Sequence, residues 1–339
     1  VLMTVAEIPA GPVEAVTRKE RSLFQQSMHR LLQNKAAVVS MIFIALLFIV
    51  SFIIAPFTNV FKDPIEQDLS ANNAVPEWML FLLPPGAENY ATINNDYILG
   101  ADHLGRDLLS RAVNGARISL SVALVASVVS LAIGTVYGVI SGYAGGRTDS
   151  ILMRIVDFVY GFPFLITVIL MQSFFKAQAR QGATGIMGGM VAINNTMGGL
   201  FFLFIALALV NWSGMARIAR GQVLSQKKKE YVEAAESIGA TDSSVMGKHI
   251  LPNILGPLIV AETLAIPGYI FLEAFLSFIG LGVDPPTPSW GIMISEAARG
   301  IRSFPNQVLV PAIMLSVTTL AFNFLGDGLR DAFDPRMKQ

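Results

Sequence analysis

Catalysis needs acids, bases, nucleophiles or metal ligands brought within reach of one another, and in this 339-residue chain such groups are sparse. The three histidines, His29, His103 and His249, are scattered and form no HExxH pair that would hold zinc on one helix face. Gly247-Lys248 resembles the close of a phosphate-binding loop. However, Asp242 stands where that loop needs its first glycine, and His249 where a Ser or Thr would hold magnesium. There is no GxSxG turn. The absence of cysteine removes a thiolate nucleophile, a disulfide framework and a cysteine zinc site. The chain is therefore expected to be no enzyme, to need no cofactor and to hydrolyse no ATP. Two carboxylates invite a different role. Glu262 and Glu273 interrupt one apolar run and lie 11 residues apart, about three helical turns, which puts them within about 20° on one face. A charge at mid-membrane costs a few kcal/mol and normally faces a bundle interior or a cavity. Each glutamate therefore either lines a pathway or sits near a membrane boundary, where it snorkels or pairs.

The elements that position these residues are read from composition. Hydrophobic residues make up 53% of the chain and charged residues 14%, against about 25% charged in soluble domains, and the mean hydropathy is +0.57. That excludes an ordinary soluble domain and a disordered chain. Zero net charge argues against a nucleic-acid partner, which calls for a basic face. The class is an all-α integral membrane protein in contact with lipid. A spanning helix needs about 20 mostly apolar residues. Six runs qualify: 36–57, 118–146, 158–175, 198–212, 254–282 and 308–325. The first is too long, and lies too far in, for a cleaved signal peptide. Residues 1–35 read as an amphipathic segment on the membrane surface, 58–117 as a polar extracytoplasmic loop and 331–339 as a tail. With both termini cytosolic, 16 of the 24 lysines and arginines fall in inside segments, which the positive-inside rule favours. Gly134, Gly138, Gly142 and Gly146 form a small-xxx-small stripe that allows close helix approach. The Met- and Gly-rich stretch 182–199 suits membrane packing or a flexible loop better than copper binding.

The longest inside loop, 217–253, is the most informative. Tyr231, Ala234, Ala235 and Ile238 recur at i, i+3, i+4 and i+7, one apolar face of a short helix. Glu230, Glu233 and Glu236 lie off that face, and Gly239 suits a left-handed cap. Thr241 is placed to start a second helix, which Pro252 is expected to stop or kink. The apolar face lacks the Trp, Phe and Leu that favour burial in lipid, and its small residues fit a protein groove better.

Glu233-Ala234-Ala235-x-x-x-Gly239, followed by His249-Ile250-Leu251-Pro252-Asn253, resembles the EAA loop of binding-protein-dependent ABC importer permeases. Further blocks resemble the C-type permease of the oligopeptide/dipeptide/nickel family. They are Gly100-Ala101-Asp102-x-x-Gly105-Arg106-Asp107-x-x-Ser110-Arg111, Gly115-Ala116-Arg117-x-Ser119-Leu120, Leu276 through Gly282, Ser289-Trp290-Gly291, and Asn323-x-x-Gly326-Asp327-x-Leu329-Arg330-Asp331-x-x-Asp334-Pro335. Together they run in order over about 98–336. Ala101 replaces a threonine common in the family, and the 176–196 connection is long.

The resemblance implies six transmembrane helices in a type I ABC importer permease fold, residues 118–330 forming its transmembrane domain, in a prokaryotic inner membrane. It implies an ATP-driven importer of oligopeptides or dipeptides, with a nickel complex or an oligosaccharide as alternative substrates. The implied partners are a B-type permease subunit, two cytosolic ATPase subunits and an extracytoplasmic substrate-binding protein. Tyr231, Glu233, Ala234, Ala235, Ile238 and Gly239 would dock the ATPase. Glu262 and Glu273 would line the pathway. Asp102, Arg106, Asp107 and Arg111 would be either an ion-paired outer-face structure or a binding-protein contact. The competing class is a self-contained secondary transporter that uses the two glutamates for proton coupling. Such proteins often show inverted repeats and broken helices, and an EAA loop has no use in them.

Overall fold

A computed structural model describes residues 23–86 and 89–333. The early segment 1–22, with Arg18 to Arg21, and the tail from Asp334 lie outside the described residues. The described chain is built of helices, numbered here as α1 (Leu23–Gln33), α2 (Lys35–Phe57), α3 (Leu108–Ala144), α4 (Gly146–Tyr160), α5 (Phe164–Arg180), α6 (Gly185–Thr196), α7 (Leu200–Gln226), α8 (Glu230–Ser237), α9 (Asp242–Phe278), α10 (Trp290–Ala298) and α11 (Pro305–Phe333). Among the described residues β-structure is limited to two isolated bridges, Val75 with Ile93 and Ala101 with Asp107.

Five helices (α2, α3, α7, α9 and α11) are long and apolar enough to cross a bilayer, and α4 with α5, bent by 75° at the break between them, pass the same test only as a pair, which makes five or six candidate spans. The expected third span is therefore broken rather than straight. The break falls at Gly161-Phe162-Pro163, where proline has no N–H to donate and pushes the preceding residue out of helical geometry.

Helix α3 carries the bundle. Its 37 residues span about 55 Å at 1.5 Å per residue, so it overhangs a hydrocarbon core of about 30 Å. It starts at Leu108, ten residues before the expected boundary at 118. Its first turns carry Arg111, Asn114 and Arg117, which hide them from an apolar-run criterion. The Asp107 carboxylate caps it, accepting from Ser110 N at 2.7 Å. The glycine stripe faces α7. A Cβ on Gly134 would stand 2.6 Å from Met215 Cβ, one on Gly142 2.9 Å from Val223 Cβ, and one on Gly138 would strike the Ala216 carbonyl. Gly146 lies beyond the seam, at the start of α4, with open space around it.

Helix α9 begins at Asp242 and runs through Pro252 without stopping. The first short helix forms as expected (α8), while the expectation that the second is also short is corrected here. A π-helical turn, Val245–Ile250, widens the helix just before the proline, and such wider turns absorb local disruption of the hydrogen-bond ladder. Helices α1 and α11 meet at one end of the bundle, where Leu31, Ala37 and Ala332 form a small core and Gly328 lies against Ala37 and Leu31. Both described chain ends therefore lie on the same side as α8. The 58–107 loop covers the opposite end. Trp78 Nε1 donates to Ile98 O at 3.0 Å, and Gln307 Nε2 reaches Asn73 Oδ1 at 2.8 Å.

Candidate functional site

Three groups of side chains stand out: one at the α8 end, one at mid-bundle and one at the opposite end. Helix α8 is short and two-faced. Val232 and Ala235 are buried against Val245, Ile250 and Ile254 of α9. Ala234, Glu233 and Glu236 are exposed, Tyr231 is half-buried and Ile238 is 87% exposed. The expectation that Ala235 belongs to the outward face is corrected: it turns inward and anchors the helix, because the chain's own core takes the i, i+3 pair Val232 and Ala235. The outward apolar residues are Ala234 and Ile238. Gly239 has φ +85°. Its N–H bonds Glu236 O at 3.0 Å, and Ala240 N–H bonds Ala235 O at 3.1 Å, which is a Schellman cap. Thr241 precedes α9 in extended geometry without a side-chain cap bond.

The helix is also tied to its neighbours through polar groups. The Tyr143 hydroxyl at the end of α3 lies 3.1 Å from both Glu236 Oε1 and Asp242 Oδ1. Lys227 Nζ donates to Tyr143 O at 2.6 Å. Tyr231 OH donates to Gln226 Oε1 at 2.9 Å, and burial raises the pKa of its phenol, so it remains a donor at neutral pH.

At mid-bundle the two glutamates do share a face, and it is turned toward α3. Ser119 Oγ donates to Glu273 Oε2 at 2.6 Å and Ser130 Oγ to Glu262 Oε2 at 3.2 Å. The serines, like the glutamates, are 11 residues apart on an antiparallel helix. Glu273 takes a second hydroxyl from Ser277 at 2.7 Å and is fully buried in the seam. Glu262 takes its second from Tyr269 at 2.9 Å. It stands in the wall of a cavity of about 330 Å³ bordered by Ser130, Tyr160, Asn211 and Tyr269.

At the opposite end Asp102, Arg106 and Arg111 converge with Glu296. Arg106 Nε lies 2.7 Å from Asp102 Oδ2, and the Glu296 carboxylate receives Arg106 at 2.8 Å and Arg111 at 2.7 Å. Arg111 is 1% exposed. The cluster is thus an ion-paired brace between the start of α3 and α10, and Asp107 serves as the α3 cap. Glu296 was missed by sequence reasoning, because 185 and 190 residues separate it from its two arginines and no local spacing signals it. Trp290 closes the same joint, donating Nε1–H to Ala112 O at 3.0 Å. Beside the brace lies a polar hollow of about 640 Å³ reached by His103, Glu296 and Arg299. In the loop nearby, Tyr97 donates to Asp68 Oδ2 at 3.2 Å. Burial first, and the hydrogen bond to Asp68 second, push its phenol up to about 12.

Known proteins resemble this chain in sequence. Residues 134–339 match the model of the binding-protein-dependent transport system inner membrane component family. Residues 22–85 match the N-terminal TM domain of oligopeptide transport permease C. The chain is 39% identical to an oligopeptide transport system permease protein of Haemophilus influenzae over 96% of its own length and 93% of that protein. It is 38% identical to the oligopeptide permease protein of Bacillus subtilis, over 97% of this chain and 95% of that one. It is also 38% identical to a dipeptide transport system permease protein of the same organism, over 96% and 90%.

Proposed function

The chain belongs to the family of binding-protein-dependent transport system inner membrane components, and from that premise we propose that it is one permease subunit of an ATP-driven importer of oligopeptides or dipeptides. The observation that carries the coupling part of this reading is α8, a helix anchored inward by Val232 and Ala235 and presenting Ala234 and Ile238 to solvent. An exposed apolar anchor on a short, well-braced helix suits a cleft on a partner protein.

In this reading the α8 end is cytosolic, as the lysine and arginine bias favours. Two ATPase subunits take up α8 and its counterpart on a second, B-type permease. Closure of the ATPases on ATP moves α8. Tyr143, Lys227 and the π-turn of α9 then carry that movement into α3 and α9, since each binds α8 or its flanks directly. Glu262 borders the pathway and Glu273 holds α9 to α3. At the opposite end the braced loop and the hollow beside Arg299 receive an extracytoplasmic binding protein. The names of the relatives support peptides as the cargo. The test is peptide uptake by vesicles holding this chain and its partner subunits. Uptake must follow ATP supply and the binding protein, and must survive collapse of the proton gradient.

A further inference from the structure

The two membrane carboxylates differ in one respect: Glu273 is sealed in the helix seam, whereas Glu262 forms part of a cavity wall. Among the described residues neither is in ion-pair contact with a lysine, arginine or histidine. A buried carboxylate is normally matched by a positive charge or a full set of donors. Glu262 receives the hydroxyls of Ser130 and Tyr269, one per oxygen, with the Ser127 hydroxyl as a third neighbour, and a carboxylate has about four acceptor positions. At least one acceptor position is left for something that enters the cavity.

We propose that this cavity is a subsite for a primary ammonium group, the free amino terminus of a peptide in transit; this rests on reading the chain as a peptide permease. The surroundings fit that chemistry. An ammonium brings three donors and no acceptor, and the walls offer both Glu262 oxygens and the amide of Asn211, whose nitrogen is already turned to Leu207 O at 3.0 Å. Tyr160, Phe162 and Tyr269 supply aromatic surface, to which cations are attracted. Arg217, neutralised by Asp157 at 2.6 Å, already stacks over the Tyr160 ring at 3.9 Å. The cavity lies where the third span is broken, beside Tyr160 and Phe162. It is about halfway along α3, α7 and α9, given the positions of Ser130, Asn211 and Glu262 in them. Broken spans beside a midplane cavity are a recurrent way to build a transport site. The volume, about 330 Å³, lies at the small end of ligand pockets and suits one residue of a peptide rather than a whole one.

The test uses the purified permease complex without its binding protein. The midpoint of thermal unfolding is followed against trialanine and N-acetyltrialanine up to about 10 mM, since a ligand that binds only the folded state raises the midpoint in a saturable way. Trialanine should raise the wild-type midpoint and the acetylated peptide should not. Glu262→Gln should weaken the trialanine response about tenfold or more. An equal response to both peptides, an undiminished response in Glu262→Gln, or no response of the wild type would each overturn the subsite. The comparison of the two peptides on the wild type needs no variant, so it stands even where Glu262→Gln fails to fold. Uptake by vesicles, measured in parallel, separates the two readings. An ammonium-dependent shift without uptake counts against peptide import, and uptake without such a shift counts against the subsite.

Discussion

Glu273 and Glu262 occupy equivalent rungs between α3 and α9, each met by a serine of α3. What separates them is access. For Glu273, closed in by Ser119 and Ser277, Glu273→Gln exchanges one acceptor oxygen for a donor and leaves one serine hydroxyl without its acceptor, at about 1 kcal/mol. The expected result is a lowered midpoint of thermal unfolding with wild-type uptake per folded complex. Impaired uptake at an unchanged midpoint would return Glu273 to the pathway. Arg111 is the stronger case. Removing its charge with Arg111→Met takes one of two arginines from Glu296, which keeps Arg106, and a contact from buried Asp102; breaking a fully buried pair costs about 3–5 kcal/mol, an upper bound for this partly exposed cluster. The yield of folded complex should collapse, while Glu77→Gln, on the exposed loop surface, should change nothing. The helical period of 3.6 was enough to place both glutamates on one face. It could not reveal which partner that face meets, because Ser119 and Ser130 lie 154 and 132 residues away.

At the scale of elements, α8 divides its residues between two tasks, and substitutions should divide in the same way. Ile238→Asp changes an exposed side chain and should leave expression and thermal midpoint unaltered while abolishing co-purification of the ATPase. Val232→Asp puts a charge into the core formed with Val245 and Ile250 and should prevent folding instead. Gly239→Val forces a β-branched residue to φ +85°, a strain of about 1–2 kcal/mol, and should weaken ATPase association by loosening the cap. An unchanged affinity in Ile238→Asp would remove α8 as the docking element. The heptad-like pattern Tyr231, Ala234, Ala235, Ile238 identified the helix and its cap. It misassigned Ala235, since periodicity defines a stripe but not which edge of it the rest of the chain covers. The glycine stripe was legible for the same reason, being a local spacing. Its partner α7, and the turn that carries α9 through Pro252, depend on packing that no local window contains.

For the whole molecule, hydropathy counts six spans where the structure has five spanning helices and one bent pair, and α1, α8 and the end of α11 lie on one side. The polar start of α3 and the bend at Pro163 escaped it, because an apolar-run criterion reads neither polar turns of a helix nor its direction. The native chain has no cysteine, so single cysteines report sidedness cleanly. Cysteines replacing Asn72 and Arg302, exposed at the end opposite α8, should react with an impermeant maleimide in intact cells or spheroplasts. One at Ser225, exposed near α8, should react only after permeabilisation, and the reverse pattern would invert the molecule. The central claim, that this permease imports peptides through work delivered to α8 by a separate ATPase, is tested most directly in one experiment. Uptake of a labelled peptide is measured in vesicles containing the complete complex, with wild-type chain or Ile238→Asp, with ATP present or absent. The account predicts uptake only for the wild type with ATP. ATP-independent uptake driven by an ion gradient, or full ATP-driven uptake by Ile238→Asp, would contradict it.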